Sequence, residues 1–193
     1  MKTLNGGQYT HPTGVQFGGT EVSWSRRTLE AIWDEHLVGA RRAINLDVHT
    51  GLGPTGRLTV FQTADEGEDA AERGRRWYPE HLYRADRSDH DPIDHGLLGP
   101  GFDAWAARRG EAAPTETGTF VVEFGTLDPI KGITAFRADN WLAHHGDRSS
   151  DTGRAIIALM RDQFYVDDDG WRTDVAEQGE VAIHTALDGI ADD

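Results

Sequence analysis

The sequence predicts an α/β fold in which helices alternate with a few apolar strands in a single domain. Three observations carry that expectation. Apolar residues recur at helical spacing on either side of short apolar runs. One such run, Thr119 to Val122, is mostly apolar throughout, as in a strand covered on both faces. The length, 193 residues, suits one domain with a substantial core.

Residues 5–23, rich in Gly, Thr and Pro, are expected as loop with at most a short strand near Val15 to Phe17. Ser25 can cap a helix in which Leu29, Ile32, Trp33, Leu37 and Ala40 recur at helical spacing, ending near Gly39. Strand Ala43 to Val48 follows, then a loop from Gly51 to Gly56, strand Leu58 to Gln62 and a helix from about Asp69 to Tyr78. Tyr83 to Pro100 is polar and aperiodic, the pattern of a long surface loop that is either a substrate-facing lid or simply mobile. A short helix, Phe102 to Ala107, leads through a Pro/Thr turn into strand Thr119 to Phe124. Three helices complete the chain: Ile130 to His145, Thr152 to Phe164 with Asp151 and Thr152 as capping options, and Trp171 to Ile190. Three strands among five or six helices leave a long sheet edge unpaired, so something else is expected to complete the sheet.

The charge balance narrows the partners. With 33 Asp and Glu against 19 Lys and Arg, the formal charge is -14, which disfavours nucleic acid because phosphate binding needs the opposite sign. Lys2 and Lys131 are the sole lysines; scarce lysine with abundant Asp fits a protein adapted to high salt, although GC-rich coding also favours Arg. The absence of cysteine excludes disulfides and thiolate metal sites and leaves any metal to histidine and carboxylate. No signal-peptide pattern and no run near the ~20 apolar residues of a membrane span occurs, so a soluble, cytoplasmic protein is expected, with no membrane partner.

The strongest chemical signal lies where strands end. His49 closes the run Ile44 to Val48 and is followed at once by a glycine-rich stretch, and Glu123 is the first ionisable residue after Thr119 to Val122. Residues at the C-terminal ends of strands in an open α/β sheet face the crevice that holds substrates. A histidine and a glutamate so placed suggest half of a metallohydrolase site. His90, Asp91, Asp94 and His95 could chelate a cation, but a polar loop of an acidic protein is more simply a solvated surface. His144 and His145 stand where a helix should end, a position that suits histidine electrostatically. Arg26 and Arg27 open a helix, which disfavours positive charge; a substrate carboxylate or an acidic side chain would relieve it. Tyr9, His11 and Phe17 either line the cleft or anchor their loop.

Several segments in order carry a family resemblance: NGGQYTHPTG (Asn5 to Gly14), SWSRRTL (Ser23 to Leu29), LDVHTGLGPTG (Leu46 to Gly56), VEFGT (Val122 to Thr126) and FRADNWLAHHGD (Phe136 to Asp147). They resemble the C-terminal half of a bacterial and archaeal domain-of-unknown-function family (2817) related to the carboxypeptidase A-like zinc metallopeptidases. The resemblance implies part of a three-layer α/β/α sandwich with a mixed sheet, its N-terminal portion missing. It also implies a zinc site in which an early H-x-x-E motif supplies a His and a Glu, and a strand-end histidine supplies the third ligand. His49 matches that histidine, and Glu123 matches the glutamate that takes a proton from the metal-bound water and passes it to the leaving amine. Zinc lowers the pKa of bound water to about 7, which is why such a carboxylate suffices as base. Asp47, two residues before His49 and so on the same face of a regular strand, could accept the second imidazole N–H. Gly51, Gly53 and Gly56 would let the backbone turn away from the metal. Phe17 stands where the family commonly has tyrosine.

The departure from the pattern is equally clear. None of the nine histidines is followed by glutamate three residues on, so the first two zinc ligands are absent. The asparagine-arginine pair that grips the substrate carboxylate in related peptidases belongs to the same absent half. The expectation is therefore a fragment, a split subunit or a remnant, with a segment bearing H-x-x-E as partner. Its function would be metal-dependent hydrolysis of a peptide or other amide. A non-catalytic binding or assembly subunit and an aspartoacylase-like deacylase are the alternatives.

Overall fold

The computed structural model describes residues 7–62, 69–83 and 97–192. The order of elements is α1 (Trp24–His36), β1 (Arg42–Thr55), β2 (Leu58–Gln62), α2 (Asp69–Trp77), α3 (Leu98–Arg109), a 3-10 turn (Gly110–Ala112), β3 (Glu116–Gly125), α4 (Pro129–His145), α5 (Asp151–Phe164) and α6 (Asp169–Asp192). Three strands form one mixed sheet in the order β1-β3-β2, with β1 parallel and β2 antiparallel to β3. Among the described residues no helix is long and apolar enough to cross a membrane.

Helix starts obey capping chemistry, though not always at the expected serine or aspartate. Ser23, not Ser25, caps α1, because its extended backbone lets the hydroxyl accept from Arg26 N–H at 3.1 Å. Ser150, not Asp151 or Thr152, caps α5 by accepting from Gly153 N–H at 3.0 Å. Helix α3 begins four residues before the expected Phe102. Pro100 there sits in the first turn, where its missing N–H costs nothing, so Gly-Pro-Gly continues a helix instead of breaking one. Near Val15 to Phe17 there is a single bridge, Gln8 to Phe17, in place of a strand. Residues 84–96 of the expected long loop, with the cluster His90, Asp91, Asp94 and His95, lie outside the described residues.

Central strand β3 organises two cores. Phe120, Val122 and Phe124 project to one face, where they meet Leu58, Val60, Tyr78 and Ala182 from β2, the end of α2 and α6. Ala43, at the start of β1, belongs to a second cluster with Trp33, Phe102 and Trp105 from α1 and α3, whereas neighbouring Ile44 packs on the first. Alternation along a strand thus puts the two clusters on opposite faces of the sheet. Trp105 also donates to Asp34 at 2.8 Å, joining α3 to α1.

Cover on the first face thins out toward β1. Val48 is 60 % exposed although its register partner Val122 is 2 % exposed. Among the described residues β1 pairs on one side only, the unpaired edge that the strand count anticipates.

Candidate functional site

Parallel pairing sets His49 directly opposite Glu123, so the two ionisable strand-end residues become neighbours on one face. Asp47, two residues earlier on β1, shares that face. His49 Nε2 lies 2.8 Å from Asp47 Oδ1, and Nδ1 lies 4.0 Å from Glu123 Oε2. The imidazole is half exposed while the Glu123 carboxylate is buried. The other carboxylate oxygen, Oε1, accepts from Leu52 N–H at 2.9 Å.

That last bond depends on how β1 ends. The expected loop from Gly51 to Gly56 is a continuation of the strand, interrupted by a register shift: Gly51 and Thr55 both oppose Gly125, and residues 52–54 arch across it. The backbone does not turn away from the site; it folds over it. Gly125 has to be glycine, since a Cβ there would run into the carbonyls of Gly53 and Pro54. Gly53 has φ +103°, a conformation open to glycine. At Gly51 a Cβ would sit 3.1 Å from Glu123 Oε1, so the missing side chain leaves room for the carboxylate. Surrounding bonds hold the arch: Thr50 Oγ1 to Phe164 O at 2.7 Å, Thr126 N–H to Gly51 O at 3.2 Å, and Trp171 Nε1 to Gly125 O at 3.0 Å.

The electrostatics make this a proton-holding unit. Burial raises the Glu123 pKa above the ordinary carboxylate value; the Leu52 N–H bond and His49 oppose the rise, and the Asp47 charge adds to it. The hydrogen bond to Asp47 raises His49 against partial burial, with the charges of Asp47 and Glu123 adding to the effect. A buried carboxyl with a raised pKa beside an accessible, oriented imidazole is a competent arrangement for general acid–base chemistry.

The remaining sequence-predicted residues do not join this cluster. Arg26 pairs with Glu30 at 2.9 Å on its own helix, and Arg27 donates to the Val22 carbonyl. These local acceptors relieve the charge at the start of α1, and among the described residues no ion pair links either arginine to Asp47 or Glu123. The Tyr9 ring lies against Gly18. His11 sits in a turn, its N–H held by Gln8 Oε1 at 2.7 Å. Both thus serve the loop, which Asn140 fastens to α4 by donating to Thr13 O at 2.9 Å.

The donor set can be tested against zinc. A catalytic zinc site offers three protein ligands. Asp47 occupies His49 Nε2 and Leu52 N–H occupies Glu123 Oε1, which leaves Nδ1 and Oε2 as the two facing donors. Among the described residues no group of three or more His, Asp or Glu side chains could hold a metal ion. These residues alone do not fit zinc.

Residues 1–178 match the family described as protein of unknown function, DUF2817. The chain belongs to that family. No curated protein and no solved structure matches. In this DUF2817 chain, the group that sequence reasoning missed is the Leu52 backbone N–H, which fixes Glu123. A backbone donor has no residue signature; the available signal was the glycine spacing that permits the arch.

Proposed function

We propose that the chain supplies the acid–base half of a hydrolase site for peptide or other amide bonds, with Glu123 as the proton-transfer group and His49 as an imidazole oriented by Asp47. The observation that carries this reading is the register pair itself: a buried, pKa-raised Glu123 beside a half-exposed His49, at the C-terminal ends of parallel strands. Glu123, deprotonated, would take the proton of an attacking water and, protonated, return it to the leaving amine. The bond from Leu52 N–H would keep Oε1 fixed while Oε2 exchanges the proton.

The carboxypeptidase-like relationship, the three-layer sandwich and the zinc centre are part of this proposal, supported by the motif order and by the unpaired edge of β1. A metal belongs to the completed site and needs ligands beyond His49, since Glu123 is kept for proton transfer. We therefore place the missing groups on a partner segment bearing H-x-x-E.

The test is co-expression of the chain with an H-x-x-E segment encoded beside it, followed by assay on N-blocked dipeptides and small N-acyl amino acids. The chain alone is expected to be inactive and the complex active. Glu123→Gln should lower kcat/KM by about 10²–10⁴-fold, and His49→Ala should abolish metal-dependent turnover. Full activity in the Glu123→Gln complex would overturn the assignment. The two-donor set favours a second reading, a binding or assembly subunit without catalysis. It predicts that the complex neither hydrolyses nor takes up stoichiometric zinc.

A further inference from the structure

Glu123 is 6 % exposed, yet two of the residues beside it are open: the His49 imidazole is half exposed, and Leu52 is 51 % exposed. Neither closes over the carboxylate. The group that adjoins Oε1 comes instead from the end of α5. A Cβ placed on Gly51 would stand 3.1 Å from Glu123 Oε1 and 3.4 and 3.6 Å from Cε1 and Cδ1 of Phe164. The carboxylate oxygen and one edge of that half-buried ring therefore border the same carbon-sized space.

The ring is anchored at three points. Thr50 Oγ1 donates to the Phe164 carbonyl at 2.7 Å, which fixes the end of α5 against β1. Phe136 of α4 packs on the ring with centroids 5.4 Å apart and planes inclined by 51°. The preceding residue, buried Gln163, donates to the Asp128 carbonyl at 3.4 Å, where the chain passes from β3 into α4. The two neighbours of Oε1 are unlike. Leu52 N–H offers it a hydrogen bond at 2.9 Å, and the ring edge offers none, so turning Oε1 from the amide toward the ring exchanges a hydrogen bond for hydrocarbon.

We propose that Phe164 is a positioning residue for Glu123: its ring and the Leu52 N–H together confine Oε1, so that Oε2 is the oxygen presented toward His49. The effect on turnover rests on the hydrolase reading; the confinement is a property of the chain alone. Without the ring, the space beside Gly51 admits water, which competes for both Oε1 and the Leu52 N–H and lets the carboxylate take more than one orientation.

The experiment compares Phe164→Ala and Phe164→Leu with the parent chain by hydrogen exchange followed by NMR, and then in the co-expressed complex by kinetics. In Phe164→Ala the Leu52 amide is expected to lose about tenfold in protection, and in Phe164→Leu less, while the amides of β3 keep theirs. In the complex with the H-x-x-E segment, Phe164→Ala should lower kcat by about 10–10²-fold at unchanged KM. Unchanged Leu52 protection in Phe164→Ala, or a loss shared evenly by the amides of β1 and β3, would overturn the proposal, as would an active complex whose kcat is indifferent to the ring. An inactive parent complex in which Leu52 still opens selectively would count against the hydrolase reading and leave the confinement standing. If Phe164→Ala does not fold, Phe164→Leu decides by the same measurements.

Discussion

Val48 and Val122 are the same residue type, on neighbouring strands, in register and on the same face of the sheet, yet one is 60 % exposed and the other 2 %. One pair down the ladder the contrast repeats in polar form, with a half-exposed His49 beside a buried Glu123. Among the described residues, strand β3 has a partner on each side and a core over Val122, and β1 has one partner and thin cover at Val48. The difference teaches that the candidate site sits on a boundary. Glu123 is fixed by a finished part of the fold, while His49 lies on a strand whose outer side is unpaired among the described residues. A site made this way has one firmly held half and one open half.

The contrast can be broken by matched truncations. Val122→Ala is expected to destabilise the chain by about 2–3 kcal/mol through lost burial and the cavity left behind, whereas Val48→Ala should stay within about 0.5 kcal/mol. Urea denaturation of the two variants checks this, and equal losses would mean that β1 is covered as well as β3. Gly125→Ala probes the arch over the firmly held half. Its methyl group meets the carbonyls of Gly53 and Pro54, so about 1–3 kcal/mol should be lost, and the Leu52 amide should lose protection in hydrogen exchange as its bond to Glu123 opens.

A smaller effect sharpens the electrostatic half of the comparison. Both groups are raised, so the folded state binds protons more tightly than the unfolded chain at each. The contribution of His49 is fully present below its ordinary pKa of 6.5 and is lost as pH rises through the folded value. Glu123 follows the same sign: stability falls as pH rises from the ordinary 4.5 through its raised value. Asp47→Asn removes the main cause at His49 and an upward contribution at Glu123. Imidazole and carboxyl titrations followed by NMR should therefore both move down, and an unmoved His49 would show that Asp47 does not orient it.

Much of the frame was legible because it rests on local rules. The periodicity of Leu58 to Gln62 marks β2 to the residue, and helices α4, α5 and α6 lie within two residues of their expected limits. The shared face of Asp47 and His49 was legible as well, since strand alternation follows from spacing alone. The caps at Ser23 and Ser150 were not, because several Ser, Thr and Asp residues compete near each start and only the φ/ψ of the chosen one lets its side chain reach the N–H. The length of β1 was hidden by glycine and proline, which read as loop but here build a bulge over Gly125.

By itself, the sequence determined the α/β class, most of the elements, the candidate residues His49 and Glu123 and the lack of an H-x-x-E motif, because each depends on residue type and spacing within a short window. Only the tertiary structure decided that His49 and Glu123 are direct neighbours, that Leu52 N–H holds the glutamate, that Arg26 and Arg27 are satisfied locally, and that Arg42 and Arg73 share one carboxylate. Register and burial are set by long-range pairing between segments more than 70 residues apart, as in the contact from Leu52 to Glu123, and short-range patterns do not contain that information.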